Sequence, residues 1–183
     1  MEALGPFHNR PAEWALYQPL HGSSMLELGG KINTPHTYKK FFEGRGFRHV
    51  SVDWNGQHGA LRLDLRKPLE LGTFDMVSNI GTSEHVDGQE LCWKNILEAM
   101  HVGSVLVSTT PCPGDWTWHG EHYPDDRFFL QLAEYNGLTI ERLYVSGVEP
   151  RRMWFVRAVR VVDVSFKMPD VPIFRNRRES SRP

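Results

Sequence analysis

Met25-Leu26-Glu27-Leu28-Gly29-Gly30 decides how the rest of the chain reads. A short apolar run carrying one acid ends in paired glycines, and Lys31-Ile32-Asn33-Thr34-Pro35 leads out of it. A strand, a tight turn and a helix start in this order bring backbone close to a nucleotide-like ligand in α/β proteins. Glycine lets the chain turn without a Cβ in the way. Glu27 is not there for the core, because a buried carboxylate is costly unless something hydrogen-bonds to it. Three later segments also end a strand on a polar residue: Val50-Ser51-Val52-Asp53, Leu61-Arg62-Leu63-Asp64 and Phe74-Asp75-Met76-Val77-Ser78-Asn79.

Working outward, the apolar patterning predicts strands over residues 24–28, 49–52, 60–63, 74–79 and 104–108. Helices are expected over residues 35–43, 88–100 and 125–136. Thr34 is a good cap for the first of these, and Pro35 fits its first turn. The second presents Leu91, Ile96, Leu97 and Met100 as its apolar residues, and the third turns Phe128, Phe129 and Leu132 inward before Gly137 stops it. Residues 138–145 and 152–162 have almost no helix between them, so they pair as an antiparallel hairpin. The expected fold is α/β: a seven-stranded, mostly parallel sheet with helices on both faces and an antiparallel C-terminal hairpin. Residues 1–22 form a lead-in with a short helix over 11–17, residues 23–163 the domain, and residues 164–183 a basic tail. That tail, with Arg175, Arg177, Arg178 and Arg182, reads as mobile from Lys167 onward.

The 183 residues suffice for one full core. A net charge of -1 gives no bulk drive toward nucleic acid or membrane. No apolar run approaches a membrane span, and the first residues lack the basic and apolar regions of a leader. A soluble, cytoplasmic protein of unknown oligomeric state is expected. Cys92 and Cys112 make neither a disulfide framework nor a zinc site.

Ligands of open α/β sheets sit outside the carboxyl ends of the strands, so Glu27, Asp53, Asp64 and Asn79 should gather in one crevice. There Asp53 can bond both hydroxyls of a ribose, Trp54 offers a flat face to a purine, and Asp64 can accept from an exocyclic amine. With the closing hairpin, these residues resemble the class I S-adenosylmethionine-dependent methyltransferases over about residues 22–162. The resemblance implies S-adenosyl-L-methionine as cofactor. By it, Glu27, Gly29 and Gly30 approach the methionine part and Asp53 holds the ribose. Asp64, with Leu65 beside it, faces the adenine, while Asn79, Gly81 and Thr82 line the floor near the methyl donor. Lys31 and Asn33 stand where the family has its further glycines, so a cofactor-binding relative without turnover is an alternative.

Glu84-His85-Val86 after the fourth strand is similar to the small-molecule methyltransferases often called type 11, some of which use Glu and His here to hold a divalent metal or to face the acceptor, which implies one of those places for Glu84 and His85. Residues 109–123 form a long loop overhanging the same crevice. Such a loop in a compact domain is usually functional, and His119 or His122 on it could take a proton from an acceptor hydroxyl or amine. His119-Gly120-Glu121-His122 lacks the His-Glu-x-x-His spacing of zinc proteases, and no metal is assigned. Were the histidines to meet a metal instead, Glu84 and His85 would become its ligands and the base would lie elsewhere. Cys112 sits where RNA cytosine methyltransferases keep a nucleophile, but their other motif is missing. The expected reaction is methyl transfer to oxygen or nitrogen of a small-molecule or sugar-like acceptor. The alternative partner is nucleic acid, read by the basic tail.

Overall fold

The computed structural model describes residues 22–30 and 37–175, without the side chains of Thr37 and Tyr38. The expected helix over 11–17, the cap at Thr34 and Pro35, the replaced glycines Lys31 and Asn33, and Arg177, Arg178 and Arg182 lie outside the described residues. In chain order the elements are β1 (Ser24–Leu28), α1 (Thr37–Glu43), β2 (Arg48–Asp53), β3 (Leu61–Arg62), β4 (Phe74–Ile80), α2 (Gln89–Glu98), β5 (Met100–Pro111), β6 (His122–Tyr123), α3 (Asp126–Tyr135), β7 (Leu138–Ser146), β8 (Met153–Arg160) and β9 (Phe174–Arg175).

Seven strands form one sheet in the order β3-β2-β1-β4-β5-β8-β7. The pairs among β1 to β5 are parallel, and β8 runs antiparallel to both β5 and β7. The expected α/β sheet with its closing hairpin is the observed one. Strand alternation builds two apolar layers. Leu26, Leu28, Val52, Val77 and Leu106 pack under α2 and α3, where Trp93 meets Phe128 and Phe129. Met25, Met76, Val105 and Val107 form the other layer with Phe42 of α1. β1 is central, and the chain leaves it toward β2 on one side and β4 on the other. That reversal opens the crevice at the strand ends.

Three local expectations change. In α2 the buried residues are Cys92, Trp93, Asn95, Ile96 and Leu97, whereas Leu91 is 36% exposed. Asn95 explains the rotation: its Nδ2 donates to the carbonyls of Leu65 and Lys67, and its Oδ1 accepts from Leu69 N–H. A buried amide with these partners outweighs the gain from covering one leucine. Met100 belongs to β5, not the helix, because its backbone pairs with Phe74. β5 also runs to Pro111, well past the expected end at Ser108, since β4 and β8 flank it on either side.

The third change concerns the tail, which is docked as far as Arg175. Phe166, Met168, Val171 and Ile173 pack against the core. Asn136 exchanges hydrogen bonds with the backbone of Lys167, and Gln131 accepts from the N–H groups of Asp170 and Val171. β9 then pairs with β6. Spaced among prolines and charges, these apolar residues show no periodicity, so only the surface of α3 reveals their use. Ending the chain at Lys167 should lower Tm by roughly 6–12 °C, for about 3 kcal/mol of lost packing. An unchanged melt would show that this segment is not docked in solution.

Asp75, at the start of β4, ties the sheet to the entry of β1. Burial raises its pKa, but the Ser24 hydroxyl, the Ser23 and Ser24 N–H groups and His101 outweigh it and hold the carboxyl at about 2. The folded value lies below the ordinary 3.8, so this contribution is present above the unfolded pKa and is lost as pH falls through the folded one. Between pH 5 and pH 2 the wild type should lose about 2 kcal/mol more stability than Asp75→Asn. Denaturant melts across that range test it; parallel curves would refute it. No helix among the described residues is long and apolar enough to cross a membrane.

Candidate functional site

A cavity of about 280 Å³ opens at the carboxyl ends of β1, β2 and β4, lined by Gly29, Val52, Asp53, Trp54, Leu63, Asp64, Leu65, Arg66, Thr82, His85, Val86 and Asp87. A larger one, about 500 Å³, lies at the other end of the sheet among Leu97, Met100 and Arg160. There the Arg160 guanidinium is engaged by the carbonyls of Leu97 and Met100 and by Asp163. Of these two, the smaller cavity sits at the topological switch point.

Gly29 turns the chain at the cavity wall with φ +83°, and an added Cβ would fall 2.2 Å from Thr82 Oγ1. Thr82 occupies that space in order to donate to the Leu28 carbonyl at 2.6 Å, which locks the turn after β1 onto the turn after β4. Asp53 is 6% exposed, and one carboxylate oxygen accepts from Asn55 N–H at 3.1 Å. Trp54 is 76% exposed and projects at the rim. Asp64 takes the Arg66 side chain and then its backbone N–H, which hold its carboxyl at about 2. It is therefore ionised at neutral pH and already shared with Arg66.

Glu27, Gly30, Asn79 and Gly81 are not part of the cavity wall. Glu27 is buried, with Oε2 2.7 Å from His49 Nε2. The sequence reading missed this partner, although Glu27, His49 and Ser51 all fall on one face in the β1–β2 register. Asn79 is fully buried: its amide donates to Ser83 and Ser108, and its carbonyl accepts from Ser83 N–H. The side chain thereby braces β4 and β5 against the following turn. Gly81, with φ +64°, donates to the Thr109 carbonyl and completes that brace.

The loop after β5 is firmly held. Arg152 reaches the buried Asp115 carboxylate with its backbone N–H, Nε and a terminal nitrogen at 2.7–3.0 Å, and depresses the acid's pKa. Trp116 Nε1 donates to the Arg152 carbonyl. Tyr123, in β6, accepts from Gly120 N–H and donates to the Trp116 carbonyl. Trp116 and Trp118 take φ values of +52° and +76°, which bulky residues adopt only when their surroundings force it.

This pinning carries His119 onto the turn after β4. Glu121 N–H donates to the Glu84 carbonyl at 2.8 Å. Gly120 lies so close that an added Cβ would stand 2.7 Å from Glu84 Cγ. His119 Nε2 is 3.5 Å and His85 Nε2 4.0 Å from Glu84 Oε1, and the two imidazole rings are 4.8 Å apart. Of the expected catalytic residues, Glu84, His85 and His119 thus converge beside the cavity. His122 belongs to another group, 3.5 Å from Asp87. Each set, Glu84–His85–His119 and Asp87–Glu121–His122, has donor atoms within 4.8 Å of one another. Burial and then Asp115 push the Cys112 thiol up to about 11, which disfavours the thiolate form.

No family model and no curated protein sequence matches the chain. Among solved structures, the fold is similar to the N-methyltransferase NodS of Bradyrhizobium japonicum in complex with S-adenosyl-L-homocysteine, with a TM-score of 0.59 and 14% identity over 76% of this chain and 78% of that one. It is similar also to the Burkholderia thailandensis 1,6-didemethyltoxoflavin-N1-methyltransferase, with a TM-score of 0.60 and 14% identity over 84% and 78%. The O-methyltransferase unit StiE O-MT gives a TM-score of 0.64 at 8% identity over 81% and 72%. The architecture is the Rossmann-like fold of class I S-adenosylmethionine-dependent methyltransferases.

Proposed function

We propose that this chain transfers a methyl group from S-adenosylmethionine to oxygen or nitrogen of a small-molecule acceptor. The observation that carries this reading is the cavity at the switch point, where Gly29, Asp53, Asp64 and Thr82 share a wall with His85. Gly29 and Thr82 support close approach of the methionine part, Asp53 the ribose, and Asp64 with Leu65 the adenine. Trp54, exposed at the rim, covers the base. His85, with Glu84 and His119 behind it, faces the acceptor. In the reaction the methyl–sulfur bond breaks, its electron pair stays on sulfur as a thioether, and a lone pair of the acceptor forms the new bond. The acceptor's proton leaves to water. Since the sulfonium methyl is already activated, holding donor and acceptor in line can supply about 7–11 kcal/mol of the barrier.

Nucleic acid is the weaker partner. Arg175, the described arginine of the basic tail, is turned toward Asp87 and Glu121 at 3.9 and 3.6 Å. Native mass spectrometry of the purified protein, followed by calorimetric titration with S-adenosylmethionine and its demethylated product, tests the proposal. Carried-over cofactor or micromolar binding is expected. Absence of both from folded protein would overturn the reading.

A further inference from the structure

Glu84 is 0% exposed, yet neither of its carboxylate oxygens has a hydrogen-bond partner among the described residues. Folded proteins rarely leave a buried carboxylate uncompensated. The groups in front of it are rings. His119 Nε2 and His85 Nε2 lie 3.5 and 4.0 Å from Glu84 Oε1, longer than the ~2.7–2.9 Å of a charge-assisted hydrogen bond. The ring centroid of His119 stands 4.8 Å from that of His85 on one side and 5.2 Å from that of Trp116 on the other. These three rings make one run that ends at the cavity, which His85 lines.

The rest of the wall is acidic. Asp53, Asp64 and Asp87 line the cavity, and Arg66 is the one lysine or arginine among its described lining residues. Asp64 already engages Arg66 through two side-chain bonds at 2.9 Å. Arg175 is likewise turned toward Asp87 and Glu121. A wall of acids and aromatic rings attracts positive charge, the acids more strongly where water is kept away and the rings through their faces.

The charge balance of methyl transfer decides which acceptor such a wall favours. The sulfonium brings one positive charge into the cavity. An oxygen acceptor parts with its proton as it attacks, so that charge is extinguished beside the acids. A neutral amine takes the same charge from sulfur onto nitrogen, and the charge stays among them. Groups fixed where charge develops stabilise the transition state.

We propose that the acceptor is a primary or secondary amine, which enters as its ammonium form and is held against His85, with Glu84 acting through the field behind the rings. This names the acceptor class of the methyltransferase reading and rests on it. The ammonium first gives one proton to water. Its freed lone pair then forms the bond to the methyl carbon while the carbon–sulfur bond breaks, with that electron pair staying on sulfur. The product leaves as the methylated ammonium.

Benzylamine, benzyl alcohol and benzoate share one ring and differ in the charge at the reacting end, so they serve as probes at neutral pH. Calorimetric titration with S-adenosylhomocysteine comes first; wild-type protein that does not bind it removes the reading on which the proposal rests. With that site filled, benzylamine should bind at least about tenfold more tightly than benzyl alcohol, and benzoate more weakly than either. Glu84→Gln keeps the size of the side chain and removes the acid. It should erase most of the preference for benzylamine and leave the affinity for S-adenosylhomocysteine unchanged. A purely structural role for Glu84 would weaken all three probes together and keep their ratio, which would overturn the proposal. Wild-type protein that binds S-adenosylhomocysteine and shows no preference for benzylamine would overturn it without any variant.

Discussion

Asp53→Ala should raise the Kd for S-adenosylmethionine by about 10²–10⁴-fold while leaving the fold intact. Asp53 is the last residue of β2 and lines the cavity. A ribose placed there offers two hydroxyl donors to one carboxylate. Each such bond is worth roughly 1.5–3 kcal/mol, so losing both removes about 3–6 kcal/mol of binding. The carboxylate also accepts from Asn55 N–H in the following turn, so Asp53→Asn is the informative companion. Its amide oxygen keeps the turn bond but carries no charge, and its affinity should fall between the other two. Calorimetric titration alongside thermal melts reads the result. Wild-type affinity in a folded Asp53→Ala protein would remove the cofactor from this cavity.

Gly29→Ala should cost both stability and cofactor binding. At φ +83° an alanine is strained by roughly 1–2 kcal/mol. Its Cβ would also overlap Thr82 Oγ1 at 2.2 Å, which forces out the hydroxyl that bonds the Leu28 carbonyl. That bond is worth about 1 kcal/mol more. The sum of about 2–3 kcal/mol corresponds to a Tm lower by roughly 4–12 °C. Adding Thr82→Ala should restore part of the stability by removing the overlap, with the backbone strain remaining. A double-mutant cycle measures that coupling. If Gly29→Ala and wild type melt and bind alike, the turn after β1 does not have the conformation described.

The two variants probe different kinds of information. Glu27-Leu28-Gly29-Gly30 announced a turn at a strand end, and the acids at Asp53 and Asp64 announced further strand ends, because such signals are local in the chain. Apolar periodicity likewise placed β1, β4 and α3 almost to the residue, as expected where one or two faces must be buried. The hairpin of β7 and β8 followed from the shortness of its connection. The crevice followed from gathering those strand ends at one edge of an open α/β sheet, while the order of the strands is read from the structure.

What the sequence left open depends on partners distant along the chain. Nothing near Glu27 announces His49, and nothing near Asn79 announces Ser108. Their meeting depends on strand register, which no local pattern encodes. The extent of β5 and the docking of residues 166–175 were decided by neighbouring surfaces that supply hydrogen bonds and apolar contact. The histidines of the long loop were visible as candidates, but their sorting was not. Arg152 anchors Asp115, Tyr123 holds Gly120, and the absence of a side chain at Gly120 lets the loop settle on Glu84. The sequence by itself thus determined the sheet, its glycine turn and the acids at its edge, since a few adjacent residues suffice for each. Only tertiary packing decided that His119 stands with Glu84 and His85 while His122 stands apart, because a loop's path is set by what it is pinned to.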